Sequence, residues 1–135
     1  MNFQTQKQQW ENFYSKKLKE FTDYLDWIEK RVKEGKLDEA WYIANRGLVE
    51  LPDDTSFMMY YQMSQIRKRE RNFRQALFLF GLCMHCLGGL GGVTHDKYLD
   101  QLLKKLGLED KKDELLKVFV SQSSEGIKKY LNNIF

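Results

Sequence analysis

Proline is almost absent from this 135-residue chain, in which Pro52 is the only one, and glycine is sparse outside residues 88–92. Because these two residues interrupt helices, the long stretches between them are free to form helices. Alternating, β-branched segments are also missing, whereas Leu, Lys, Glu and Gln are abundant. The composition therefore predicts an all-α fold.

Cysteine is scarce as well, with only Cys83 and Cys86 present, which is too few for a disulfide framework. No apolar run approaches the ~18 residues of a membrane-spanning helix. The first residues, Met1–Gln6, lack the basic-then-apolar pattern of a signal peptide. We therefore expect a cytoplasmic protein without membrane insertion, folded as a single domain over residues 1–135.

The net charge of +3 is concentrated in one short segment. Residues 67–92 carry five Lys and Arg against one acidic residue. Nucleic-acid-binding proteins usually carry a broader basic stripe, and cations at the end of a helix are favoured by its dipole. The basic residues of this segment are therefore better explained by the dipole at a helix end, or by an acidic protein segment as ligand, than by nucleic acid.

The spacing of apolar residues predicts about seven helices joined by short loops. Short loops favour antiparallel hairpins. We expect an extra N-terminal helix at 1–20, hairpins at 21–54 and 55–88, and C-terminal helices at 94–135. Residues 4–34 form either one long helix or two.

Two segments share a turn pattern and lie 36 residues apart, measured from Ala40 to Ala76. The first is Gly35–Ala40, and its helix ends at Pro52; the second is Arg71–Ala76, with Arg71 in the glycine position. This pattern resembles the tetratricopeptide repeat, which has two antiparallel helices in about 34 residues. The resemblance predicts a short solenoid of helical hairpins; the alternative is a generic helical bundle.

Such repeats curve into a groove that is lined by the first helix of each hairpin. Met and Tyr side chains suit a groove that receives an amphipathic peptide helix; the alternative is that they fill the core. By the spacing of the family, the candidate groove residues are Leu25, Met58, Tyr61, Gln65, Arg69, Tyr98 and Leu102.

The segment 73–87 is apolar nearly all round and needs neighbours on several sides. Either its own chain buries it, or part of its surface binds a partner. Leu77 and Phe80 are therefore added to the candidate partner-binding residues.

From about Gly35 onward the chain resembles a narrower family, the tetratricopeptide-fold chaperone of the type III secretion needle subunit (YscG/PscG type). The matching residues lie in three stretches, which are Asp38–Ala40 with Ile43, Ala44 and Leu48; Met63–Ile66 with Asn72–Leu77; and Leu106–Leu108 with Glu114–Leu116, Ser121, Ile127, Tyr130 and Leu131.

This resemblance implies that the groove holds the amphipathic C-terminal helix of a needle-like subunit and prevents premature polymerisation. It also implies a small helical co-chaperone and hence a hetero-oligomer; a homo-oligomer stays open. Alternatives are a chaperone of another secreted substrate, such as a translocator, or a general protein-interaction scaffold.

No chemical site is predicted. Cys83, His85 and Cys86 crowd into one helix turn without a second ligand pair, so we expect no metal. The glycine cluster lacks the Lys-Ser/Thr of a phosphate-binding loop. The two histidines flank that cluster and no nucleophile–base pair can be argued. We therefore predict a protein that is not an enzyme and uses no cofactor or small-molecule substrate.

Overall fold

The computed structural model of the chain describes residues 3–88 and 93–135, and every regular element in them is helical. The helices are α1 Phe3–Tyr14, α2 Phe21–Lys33, α3 Leu37–Glu50, α4 Ser56–Arg69, α5 Phe73–Leu87, α6 Val93–Leu106, α7 Lys112–Ser121 and α8 Ser124–Ile134, with 3-10 turns at Asp53–Thr55 and Glu109–Lys111. No strand occurs in these residues, so the all-α prediction is confirmed. The predicted glycine loop falls mainly on residues 89–92, which lie outside the described residues. None of the described helices has the length and apolar character needed to span a bilayer.

The described residues contain eight helices rather than about seven because residues 4–34 form two helices and not one. The break is held by Asp23, whose carboxylate accepts hydrogen bonds from the backbone N–H groups of Lys19 and Glu20 at 3.1 and 2.9 Å. These bonds lower the pKa of Asp23. The bond from Glu20 belongs to a capping box between the N-cap Glu20 and Asp23, and this box starts α2 at Phe21.

The helices group into two units, Met1–Pro52 and Asp53–Phe135, each with its own buried core. The first unit contains α1–α3 and the second contains α4–α8. That the whole chain folds as a single domain stays a prediction.

In the first unit, α1 packs on the α2–α3 hairpin through aromatic side chains. The Trp10 and Tyr42 rings lie 5.3 Å apart between centroids. The hydroxyl of fully buried Tyr14 donates to Glu39 and accepts from the Arg31 Nε at 2.7 Å. Burial and the hydrogen bond to Glu39 raise the pKa of Tyr14, so the phenol stays neutral. Helix α1 therefore contributes Tyr14 to the core of this unit.

The turns of the two hairpins have the same hydrogen bonds, displaced by 36 residues. Gly35 donates to the Val32 carbonyl and Lys36 to that of Arg31; in the second hairpin Arg71 donates to Lys68 and Asn72 to Arg67. Each pair forms a Schellman motif, which needs a left-handed residue just after the helix. Gly35 has φ 77° and Arg71 has φ 64°. The predicted repeat of the turn is therefore present in the backbone, including at the position where arginine replaces glycine.

Helix α5 is the centre of the second unit, because α4, α6, α7 and α8 all pack against it. Eight of its 15 residues are buried. At Gly81 the ring of Phe119 on α7 lies so close that a Cβ would stand 2.7 Å from it. Because α5 is apolar on nearly every side, it needs neighbours on several sides, and its central position supplies them.

We predict that Arg71→Gly stabilises the protein. A left-handed conformation costs a residue with a side chain about 1 kcal/mol or more, and glycine avoids this cost. The free energy of unfolding in urea should therefore rise by about 1 kcal/mol. Arg71→Ala is the matched control because it removes the same charge and keeps the strain, so it should give no gain. An equal gain in both variants would contradict the assignment.

Candidate functional site

Four of the candidate residues lie on one face of α4, which we call the α4 stripe: Met58, Tyr61, Gln65 and Arg69. The first three are half-buried and Arg69 is exposed. Their spacing of three and four residues places them one turn apart along the helix. The residues of α4 that face the core are different ones, Met59, Met63, Ser64 and Ile66. Helix α4 therefore carries large apolar side chains beyond those that its own core uses.

Two tyrosines connect this stripe to the interior of the unit. The half-buried Tyr61 ring lies 5.2 Å from the Tyr98 ring, which in turn lies 5.4 Å from Phe80. The three rings form a continuous series from the surface of α4 through α6 to α5. One end of the stripe therefore packs directly on the core of the unit through Tyr61.

A buried hydrogen-bond chain holds Tyr98 in place. The Ser64 hydroxyl lies 2.7 Å from both the Ala76 carbonyl and the Tyr98 hydroxyl. Because Ser64 donates its single proton to Ala76, Tyr98 donates to Ser64. Burial raises the pKa of Tyr98, so its phenol stays neutral. These two hydrogen bonds join α4, α5 and α6 at one point.

Lys68 covers the outer side of Tyr98. Its Nζ lies 5.0 Å from the centre of the Tyr98 ring and donates a hydrogen bond to Gln101. Tyr98 is only 7% exposed, with Tyr61, Phe80 and Ser64 also in contact with it. Its side chain is therefore closed to a partner in this structure.

Four predicted partner-binding residues are corrected by the structure to core residues. Leu77, Phe80, Tyr98 and Leu102 are all buried, with Leu77 and Leu102 fully so. The reason is the central position of α5, because Leu77 and Phe80 lie on this helix, which four helices cover, and Tyr98 and Leu102 lie on α6, which packs against it. The alternative stated for them, that they fill the core, is the arrangement found in this structure.

The remaining candidate, Leu25, lies on α2 in the first unit and is half-buried. The structure therefore brings together Met58, Tyr61, Gln65 and Arg69, and only these residues of the predicted set are considered further as a surface.

The cysteine and histidine side chains on α5 do not converge on one site. Cys83 is fully buried, and Cys86 is exposed with a free thiol. The His85 Nδ1 lies 3.2 Å from the Phe119 carbonyl. No group of three or more His, Cys, Asp or Glu side chains within the described residues has the geometry to hold a metal ion. Burial raises the pKa of Cys83 to about 12, so its thiol is a poor nucleophile at neutral pH.

One pocket of the second unit was not predicted. It lies between α5 and α8 and includes Arg74, Phe78 and Phe135. The available signal was spacing, since Lys128, Leu131 and Phe135 recur at intervals of three and four residues. That signal identifies a helix face, but only the packing of α8 on α5 makes it a pocket.

Comparisons of this chain with protein-family models, with curated proteins and with solved structures return no match. The arguments for function therefore rest on the residues of the chain itself.

We predict that Ser64→Ala lowers the free energy of unfolding by about 1–3 kcal/mol, because it leaves the Tyr98 hydroxyl buried without its acceptor. Adding Tyr98→Phe should cost less in the Ser64→Ala background than in the wild type, since the orphaned hydroxyl is then removed. Urea unfolding of the four proteins of this double-mutant cycle measures the difference. Ser121→Ala is the control, because it removes an exposed hydroxyl and should change stability by less than about 0.5 kcal/mol. Strict additivity of Ser64→Ala and Tyr98→Phe would contradict the coupling.

Proposed function

We propose that this protein is a non-enzymatic chaperone that holds an amphipathic helix of another protein along the α4 stripe. The observation that carries the proposal is the pair of half-buried apolar side chains, Met58 and Tyr61, which α4 carries in addition to its fully buried core residues. Methionine and tyrosine supply the adaptable apolar contacts on which helix-binding grooves depend.

The dimensions of the stripe fit such a ligand. From Met58 to Arg69 the stripe spans about 17 Å, which is about three turns of a partner helix. Gln65 offers a hydrogen-bonding group in the middle of the stripe, and Arg69 offers a cation at its end. A helix with apolar residues one turn apart and an acidic residue near Arg69 would complement all four side chains.

The specific proposal is a cytosolic chaperone of a needle-like subunit of type III secretion, working with a small helical co-chaperone. Its support is the family resemblance of the sequence together with the stripe. A subunit that polymerises through an amphipathic helix exposes that apolar face in the cytosol before export. Binding of this apolar face to the chaperone would prevent the subunit from self-associating until it is released.

The test is purification of the tagged chain from the cytosol of its source organism, with mass spectrometry of the proteins that co-purify. We expect a small helical subunit and a small co-chaperone in fixed proportion. The C-terminal helix of that subunit, made as a fluorescent peptide, should then bind the chain in an anisotropy titration. Met58→Ala with Tyr61→Ala should weaken this binding at least about tenfold, because truncation of central apolar contacts costs more than about 1 kcal/mol.

The matched control for these variants is Val120→Ala, which truncates a side chain that is 45% exposed on α7. It should leave the affinity unchanged, and thermal unfolding should show that all variants fold. Unchanged peptide binding by the folded double variant would contradict the proposed site. Recovery of nucleic acid alone, with an affinity that falls steeply with salt, would contradict the chaperone function.

A further inference from the structure

A second surface of the α4–α8 unit has the character of a binding site and is distinct from the α4 stripe. It is a pocket of about 580 Å³ between α5 and α8, within the size range of ligand sites. Its charged and apolar lining residues are Arg74 and Phe78 from α5, Lys128 and Leu131 from α8, and Phe135 just after α8.

The floor of the pocket is apolar and its edge is cationic. Leu131 is almost fully buried at the floor, and Phe78 and Phe135 are half-buried beside it. The Arg74 guanidinium lies 5.0 Å from the centre of the Phe135 ring. The described lining residues include no Asp or Glu, and neither Arg74 nor Lys128 forms an ion pair with any residue that the structure describes.

Arg74 lies between two helix ends of opposite polarity. It is in the first turn of α5, where the helix dipole is positive and disfavours a cation. Its guanidinium lies over Phe135, the C-cap of α8, where the dipole is negative and favours a cation. Because no described carboxylate pairs with Arg74, its charge remains available to an acidic ligand.

We propose that this pocket binds an acidic amphipathic segment of a partner protein. An apolar side chain of the segment enters between Phe78, Leu131 and Phe135, while flanking carboxylates pair with Arg74 and Lys128. A helix supplies this pattern when a leucine is followed and preceded by glutamates three or four residues away. Charge complementarity selects this occupant, because two unpaired cations on either side of an apolar floor match carboxylates on either side of an apolar group.

The test uses a fluorescent 14-residue helical peptide with leucines one turn apart and glutamates beside them, and a second peptide with glutamine in place of each glutamate. The wild-type chain should bind the glutamate peptide at least about tenfold more tightly than the glutamine peptide. Arg74→Glu with Lys128→Glu should abolish that preference. The control Lys97→Glu with Lys117→Glu reverses two exposed cations outside the pocket and should retain binding within about twofold.

Two further variants separate the apolar contribution of the pocket from any binding at the α4 stripe. Phe78→Ser should weaken both peptides, because it removes apolar contact without changing charge, and circular dichroism checks that the variant folds. Met58→Ala with Tyr61→Ala should leave binding of the glutamate peptide unchanged, since the α4 stripe lies elsewhere on the unit. This separation keeps the inference independent of the proposed function, so that either can fail alone.

Several results would overturn the inference. Equal affinity for the two peptides, or equal loss in the pocket variant and its control, would show that no specific carboxylate contact exists. Tighter binding of a single-stranded oligonucleotide, lost in the same pocket variant, would assign the cations to phosphate. Binding of decanoate in the pocket without binding of either peptide would assign it to a small amphiphile instead.

Discussion

The structure of the second unit depends on the need to cover α5 on all sides. This helix is apolar around nearly its whole circumference, so exposure of any face would leave a large hydrophobic surface in water. Four helices meet the requirement, with α6 contacting Phe80 through Tyr98 and α7 approaching closely at Gly81. The candidate surfaces follow from this arrangement. Each helix that covers α5 uses one face to do so, and its other face is available for contacts outside the unit.

Helices α4 and α8 show this division of faces most clearly. On α4 the core takes Met59, Met63 and Ile66, and the stripe of Met58 and Tyr61 is left half-exposed. On α8 the core takes Ile127 and Leu131, and the cation Lys128 is left at the edge of the pocket with α5. The two surfaces differ in chemistry. The stripe is mainly apolar and suits a helix that must be shielded, whereas the pocket has two cations and suits an acidic segment.

Much of the fold could be predicted from local sequence signals, because helix formation and turn chemistry are local. The apolar spacing predicted the helices, and the turn pattern at Gly35 and Arg71 predicted two equivalent turns, which the backbone hydrogen bonds repeat. The break before α2 was left open because it rests on a capping box at Glu20 and Asp23, an acidic variant of the usual pattern. The partner-binding residues were predicted less well. Exposure depends on long-range packing, so periodicity could not distinguish Tyr61 at the surface from Tyr98 beneath Lys68, or reveal the pocket that Phe135 forms with Arg74.

The central claim is that a partner helix lies on the α4 stripe, and site-specific photocrosslinking in the native cytosol tests it most directly. A photoreactive phenylalanine at position 61 replaces a tyrosine with a side chain of similar shape, and the same group at position 120 serves as the exposed comparison on α7. Irradiation should join the chain to one small helical protein from position 61 and not from position 120. No adduct from position 61, or the same adducts from both positions, would show that no partner helix lies on the stripe.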